Sequence, residues 1–77
     1  MSLKIELYYH APENVEREKI LGEQIASLGG KWDCRETTGP TNEAICLTYE
    51  FADRKTAEKA ADMLRSKGEH VEGPCDY

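Results

Sequence analysis

The chain has 77 residues, of which 39% are hydrophobic and 32% are charged, and we interpret residues 1–77 as one small domain. Fifteen acidic residues against ten basic ones give a net charge of -5, which disfavours binding to the phosphate backbone of nucleic acid. No apolar run is long enough for a membrane-spanning helix, and alternation rather than an apolar signal core follows Met1. We therefore expect a cytoplasmic protein that does not associate with membranes.

The first predicted element is a strand from Leu3 to His10. Apolar and polar side chains alternate along it, as in a strand with one buried face. The predicted core row is Leu3, Ile5, Leu7 and Tyr9. The opposite, open face of the sheet then carries Lys4, Glu6, Tyr8 and His10.

The first predicted helix begins near Pro12, because the fixed φ of proline suits a first helical turn. Gly29 and Gly30 end it. Its predicted core stripe is Leu21, Ile25 and Leu28. A second strand follows and reaches Thr37.

The third strand begins at Ile45, after a turn at residues 38–42. Its predicted core row is Ile45, Leu47, Tyr49 and Phe51, and its open face carries Ala44, Cys46, Thr48 and Glu50. A symmetric hairpin would place Cys34 opposite Cys46 but would turn Asp33 and Arg35 towards the helices. We favour a register shifted by one residue, which returns Trp32 to the core and separates the two cysteines.

The second predicted helix is capped by Asp53 and closed by Lys67 and Gly68. Its core stripe consists of Ala57, Ala60, Ala61 and Leu64. In the short last strand Val71 is the predicted core residue, so that His70 and Glu72 face outward. The three cysteines, Cys34, Cys46 and Cys75, lack the spacing of a zinc knuckle or a disulfide framework and are interpreted as reduced thiols.

The order of these elements is β-α-β-β-α-β, in which a strand-helix-strand unit occurs twice. Two such units interleave into a ferredoxin-like α+β sandwich, with a four-stranded antiparallel sheet and both helices on one face. In that sheet we place the last strand antiparallel beside the first, and the third strand parallel on the first strand's other side. This fold hosts unrelated activities, so function must be inferred from a site.

The predicted strand directions suggest one metal-binding hypothesis. They bring His10, His70 and Glu50 to the same end of the open face, where two imidazoles and a carboxylate could hold zinc or ferrous iron. The alternative interpretation is that these side chains are simply solvated. We expect no cofactor, and no arrangement typical of a catalytic triad, a phosphate-binding loop or a dinucleotide site occurs, so enzyme activity is not expected.

The negative charge favours a protein partner with a basic surface. The predicted contact residues are Glu6, Tyr8, Glu50 and Glu72, all on the open face. Two alternatives remain at this point: the metal site, and a dimer that holds a small ligand between open sheet faces. A homodimer is expected on physical grounds alone, because a domain this small gains stability by covering an open sheet face or an edge strand.

Two segments resemble the ribonuclease E activity regulator B family. The stretch from Leu47 to Asp53 is similar to one half of that family, and so are the helix and strand positions Ala57, Ala60, Ala61, Leu64, Gly68 and Val71. The stretch from Gly29 to Asp33 is similar to the family's closing segment. The order of the segments is swapped here, and Cys34 and Arg35 stand where the family has a second tryptophan. The resemblance implies a small acidic cytosolic protein that binds a larger protein and restrains it.

Overall fold

The computed structural model describes residues 3–10, 12–38 and 44–76. Their helices and strands, in chain order, are β1 (Leu3–His10), α1 (Val15–Ser27), β2 (Lys31–Thr38), β3 (Ala44–Phe51), α2 (Arg54–Ser66) and β4 (His70–Asp76). The chain is therefore an α+β protein. Residues 39–42 of the predicted turn lie outside the described residues. No helix in the described ranges is both long and apolar enough to cross a membrane.

The four strands form one sheet in the order β2-β3-β1-β4, and every neighbouring pair is antiparallel. The prediction that β3 runs parallel to β1 is wrong. Both β1 and β2 pair antiparallel with β3, so they are parallel to each other with β3 between them. The hairpin connection from β2 into β3 reverses the chain direction, and this reversal makes β3 antiparallel to β1.

The predicted core rows are confirmed. The row in β1 and the row in β3 are buried, and both helices contribute to the same cluster, so they pack on one face of the sheet. Ala57, Ala60, Ala61 and Leu64 are fully buried, and the small side chains of the three alanines let α2 lie close to the strands. Burial of each large apolar side chain in such a cluster contributes about 1.5–3 kcal/mol.

The helix ends follow their capping residues. The backbone N–H of Thr56 donates to the Asp53 carboxylate at 2.8 Å, which confirms the predicted cap of α2. The first helix begins at Val15 rather than near Pro12. Asn14 caps it, since its side-chain oxygen accepts the Arg17 backbone N–H at 3.0 Å. A side chain that accepts this bond satisfies a free helix N–H, whereas proline only permits the φ angle.

A bulge at Asp33 decides which way β2 presents its side chains. Trp32 pairs with Tyr49 and Cys34 pairs with Thr48, so β2 has one extra residue between them. Trp32 therefore lies on the helix side, as predicted, but Cys34 lies on the open face. The favoured shifted register is therefore wrong beyond Trp32. The prediction that Trp32 belongs to the core is also wrong, because Trp32, although on the helix side, is 56% exposed. The cysteines are nevertheless separated, because Glu36 stands opposite Cys46.

The bulge also turns Arg35 towards the helices, where carboxylates compensate its charge. Its guanidinium Nε lies 2.9 Å from Glu18 Oε1, and Nη2 lies 3.2 Å from Glu13 Oε2. Tyr9 donates a hydrogen bond to the same Glu18 carboxylate, and its hydroxyl accepts the Asn14 backbone N–H at 3.0 Å. This network ties the start of α1 to β1 and β2.

The Glu18 carboxylate makes part of the stability dependent on pH. Burial raises the pKa of Glu18, but hydrogen bonds from Arg35 and Tyr9 outweigh it, so the pKa lies below its ordinary value of 4.5. This contribution to stability is present above that value and is lost as the pH falls through the lower folded pKa. In Arg35→Gln we expect burial to dominate, and we expect thermal unfolding at pH 7 to occur about 5 °C lower.

The difference in unfolding temperature between wild type and Arg35→Gln should narrow as the pH falls, because Glu18 becomes protonated first in the variant and, below pH 4.5, also in the wild type. Differential scanning calorimetry from pH 7 to pH 3 measures it. Arg54→Gln is the matched control, since Arg54 and Asp76 are each 51% exposed and 3.5 Å apart, and it should change the midpoint little. If the difference in unfolding temperature between wild type and Arg35→Gln stayed constant with pH, the role given to Glu18 would be contradicted.

Candidate functional site

The open face of the sheet is the surface that carries the predicted contact residues. Register places Glu6, Tyr8, Glu50 and Glu72 on it, so the structure brings the four together on one side of the sheet. The described charged residues of this face are Glu6, Asp33, Glu36, Glu50, Glu72, Lys4 and Lys31. The described part of this face therefore has five carboxylates and two ammonium groups, so its net charge is negative.

Side chains at the centre of this face cover one another. The Tyr8 hydroxyl donates to Glu6 Oε2 at 3.2 Å, and the Cys46 sulfur lies 3.7 Å from the same oxygen. Cys46 is 5% exposed and Thr48 is 8% exposed, although both lie on the face away from the helices. Burial, together with Cys46 and Glu6, raises the pKa of Tyr8. The centre is therefore a packed floor of Tyr8, Cys46 and Thr48 beside the Glu6 carboxylate.

The Cys46 thiol is poorly suited to act as a nucleophile. Burial raises its pKa, and the nearby Glu6 carboxylate acts in the same direction. The thiolate is the reactive form of cysteine, and reactive cysteines lie in electropositive surroundings. At neutral pH this side chain is a protonated donor within the floor of the face. Cys34, Cys46 and Cys75 are all free thiols, as the sequence predicted.

Lysines compensate the negative charge at one end of the face. Lys4 Nζ lies 2.7 Å from Asp33 Oδ2, and this hydrogen bond raises the pKa of Lys4. Lys31 stands opposite Glu50 on the neighbouring strand. Three further carboxylates of this face, Glu6, Glu36 and Glu72, flank Tyr8 and Cys46, and we call these three the acidic patch.

The predicted metal ligands are not brought together as a set. His10 and His70 line one shallow cleft of about 360 Å³ with Glu72, and the Tyr8 and His70 rings meet edge to face at 5.7 Å. Glu50 pairs with Lys4, whereas His10 pairs with Ala44 at the opposite end of β1. The expected grouping with Glu50 is wrong, because it rested on the parallel direction of β3. Among residues 3–10, 12–38 and 44–76, no group of three or more acidic, histidine or cysteine side chains could hold a metal ion.

Sequence reasoning missed Glu36 as a member of the acidic patch. In the shifted register Glu36 belongs to the same face as Trp32 and would point towards the helices. The bulge reverses this, because Asp33 and Cys34 together oppose a single position of β3. The acidic residues Glu13, just before α1, and Glu18, within it, could have been a signal, since a charge that faces the helices is tolerated when a partner of opposite sign is near.

No protein-family model matches this chain, and no curated protein sequence matches it. The resemblance to the ribonuclease E activity regulator B family stays a prediction from the sequence. Function must therefore be inferred from the geometry of the open face.

Proposed function

We propose that this chain is a small, non-catalytic regulatory module that binds a basic surface of a larger protein partner and restrains it. The supporting observation is the acidic patch of Glu6, Glu36 and Glu72 on a sheet face that neither helix covers. A basic partner can pair with these carboxylates, and complementary charge steers association and selects among partners.

The centre of the face supports this proposal in a second way. Tyr8 is the aromatic side chain at its middle, with Cys46 and Thr48 forming a flat floor beside it. Tyrosine is enriched among residues that dominate binding energy, since it adds apolar area and a hydroxyl. We therefore assign Tyr8 as the anchor and the acidic patch as its charged surround.

The fold assignment is consistent with such a module. We propose a ferredoxin-like arrangement, supported by the β-α-β-β-α-β order and by the sheet order β2-β3-β1-β4. The charge of the acidic patch argues against a second copy as the occupant of the open face, because a two-fold axis through that face would bring carboxylates onto carboxylates. We therefore assign the face to a basic protein.

The triple variant Glu6→Gln, Glu36→Gln, Glu72→Gln tests the proposal. Immobilised wild-type chain should capture one specific partner from cytosolic extract at low salt, identified by mass spectrometry, and lose it at high salt. With that partner purified, surface plasmon resonance should show an association rate lowered about tenfold or more in the triple variant, with a smaller change in dissociation.

The matched control removes the same charge from exposed positions of the helices: Glu16→Gln, Glu23→Gln, Glu58→Gln. It should leave the association rate within about twofold of wild type. Tyr8→Phe and Tyr8→Ala then separate the hydroxyl from the ring, and only the alanine variant should weaken binding strongly. Equal binding by the triple variant and wild type would refute the role of the open face.

A further inference from the structure

A groove lies on the helix side of the sheet, away from the open face, where α1 leaves part of β2 uncovered. Its volume is about 540 Å³, within the range of about 300–1,000 Å³ typical of small-molecule sites. Val15, Gly22 and Ala26 of α1 line one side, and Trp32 and Tyr49 line the other. We call it the α1–β2 groove.

Trp32 presents a largely uncovered aromatic side chain on one side of the groove. Trp32 is 56% exposed and Val15 is 70% exposed, which is unusual for large apolar side chains so close to a core. The Trp32 and Tyr49 rings meet edge to face, with 5.9 Å between their centroids. A flat molecule could stack on the open face of the indole in the same way that aromatic side chains pack.

The Tyr49 hydroxyl is a polar group at the floor of the groove. Tyr49 as a residue is only 3% exposed, but its hydroxyl oxygen is accessible from the groove and no described residue forms a hydrogen bond with it. A Cβ placed on Gly22 would lie 3.7 Å from this oxygen, so the helix approaches it without a side chain in between. Burial and Glu18 raise the pKa of Tyr49 to about 12, and it remains a hydrogen-bond donor at neutral pH.

Apart from the ion pair of Glu18 with Arg35, the charged residues that line the groove have no net charge. Glu18 is paired with Arg35, and the remaining charged lining residues are Lys19 and Glu23, which carry one charge of each sign. Neither a cation nor an anion therefore gains from the rim, whereas a charged ligand would lose part of its hydration on the apolar walls.

We propose that the α1–β2 groove is a binding site for a small, uncharged aromatic molecule with one hydrogen-bond acceptor. The ring stacks against Trp32, and the acceptor takes the hydrogen bond that the Tyr49 hydroxyl offers. This site is separate from the open face and does not depend on the proposed partner.

The test uses four ligands of similar size: benzamide, toluene, benzylammonium and benzoate. Trp32 is the chain's single tryptophan, so the NMR signal of its indole N–H reports occupancy of the groove. Benzamide should shift this signal saturably. It should bind about threefold to tenfold more tightly than toluene, which has no acceptor, and both charged ligands should bind more weakly than benzamide.

Tyr49→Phe removes only the hydroxyl and should reduce benzamide affinity to that of toluene, while toluene affinity stays unchanged. Gly22→Leu fills the groove and should abolish binding of both. Ile20→Ala is the control on α1, because Ile20 is 57% exposed and does not line the groove, and it should bind as wild type does.

Three results would overturn the proposal. One is equal affinity for benzamide and toluene in the wild-type protein. Another is benzamide binding that is unaffected by Tyr49→Phe in a protein whose NMR spectrum remains folded. The third is an indole signal that shifts with protein concentration alone and not with any ligand, since a second copy of the chain would then occupy the groove.

Discussion

Gly73→Ala should lower the free energy of unfolding by about 2–4 kcal/mol, the largest effect that we expect from a single substitution in this chain. Gly73 has φ +102, a conformation that side chains disfavour. A Cβ there would also lie 2.7 Å from the backbone carbonyl oxygen of Lys4 on the neighbouring strand. Because that oxygen belongs to the sheet, it cannot move without breaking strand pairing.

Gly68→Ala is the matched control, and it separates the two causes. Gly68 has φ +88 at the end of α2, but a Cβ there would meet no atom within 4 Å. Only the conformational penalty applies, so we expect a loss of about 1 kcal/mol. Urea denaturation of both variants gives the comparison. Equal losses at the two positions would show that the contact with Lys4 relaxes without penalty.

The position of Gly73 links this prediction to the open face. Two residues, Gly73 and Pro74, lie between the pairs Glu6 with Glu72 and Lys4 with Cys75, whereas β1 has only Ile5 there. This bulge lets β4 keep Glu72 beside Glu6 while Cys75 meets Lys4. Strain at Gly73 should therefore also disturb the acidic patch, which the NMR signals of Glu6 and Glu72 would report.

Gly30→Ala should lower the free energy of unfolding by about 1–3 kcal/mol, because the site has no room for a methyl group. A Cβ there would lie 2.5 Å from Ile25 Cγ2 and 2.7 Å from Phe51 Cζ. Both neighbours are at most 1% exposed, so they have little space into which to move. Urea denaturation measures the loss, and thermal unfolding should show the same direction.

Gly22→Ala should have the opposite sign. Gly22 lies inside α1, and a Cβ there would make ordinary contact with the Tyr49 hydroxyl at 3.7 Å. Alanine favours a helix interior over glycine by about 1 kcal/mol, so stability should rise by up to that amount. If Gly22→Ala and Gly30→Ala lowered the free energy of unfolding equally, the spacing between α1 and the sheet at Gly22 would be tighter than these distances indicate.

Sequence periodicity was sufficient to predict which side chains of β1, β3 and α2 are buried in the core. The alternation in β1 and β3 and the stripe in α2 identified buried rows correctly, since each pattern depends on the repeat of one element alone. Asp53 and Gly68 marked the ends of α2 for the same reason, because capping is a local hydrogen-bonding requirement. The start of α1 was misplaced because Pro12 and Asn14 are both compatible with a helix start.

The sequence by itself determined which residues of β1, β3, α2 and β4 face the core, and it determined the negative charge of the chain. Only the tertiary structure decided the direction of β3 relative to β1, the bulges at Asp33 and Gly73, and hence the grouping of the acidic patch. The physical reason is that periodicity reports one strand's own faces, whereas direction and register arise from hydrogen bonds to another strand. The exposed Trp32 beside α1 likewise depends on how far that helix extends over β2, which no local pattern encodes.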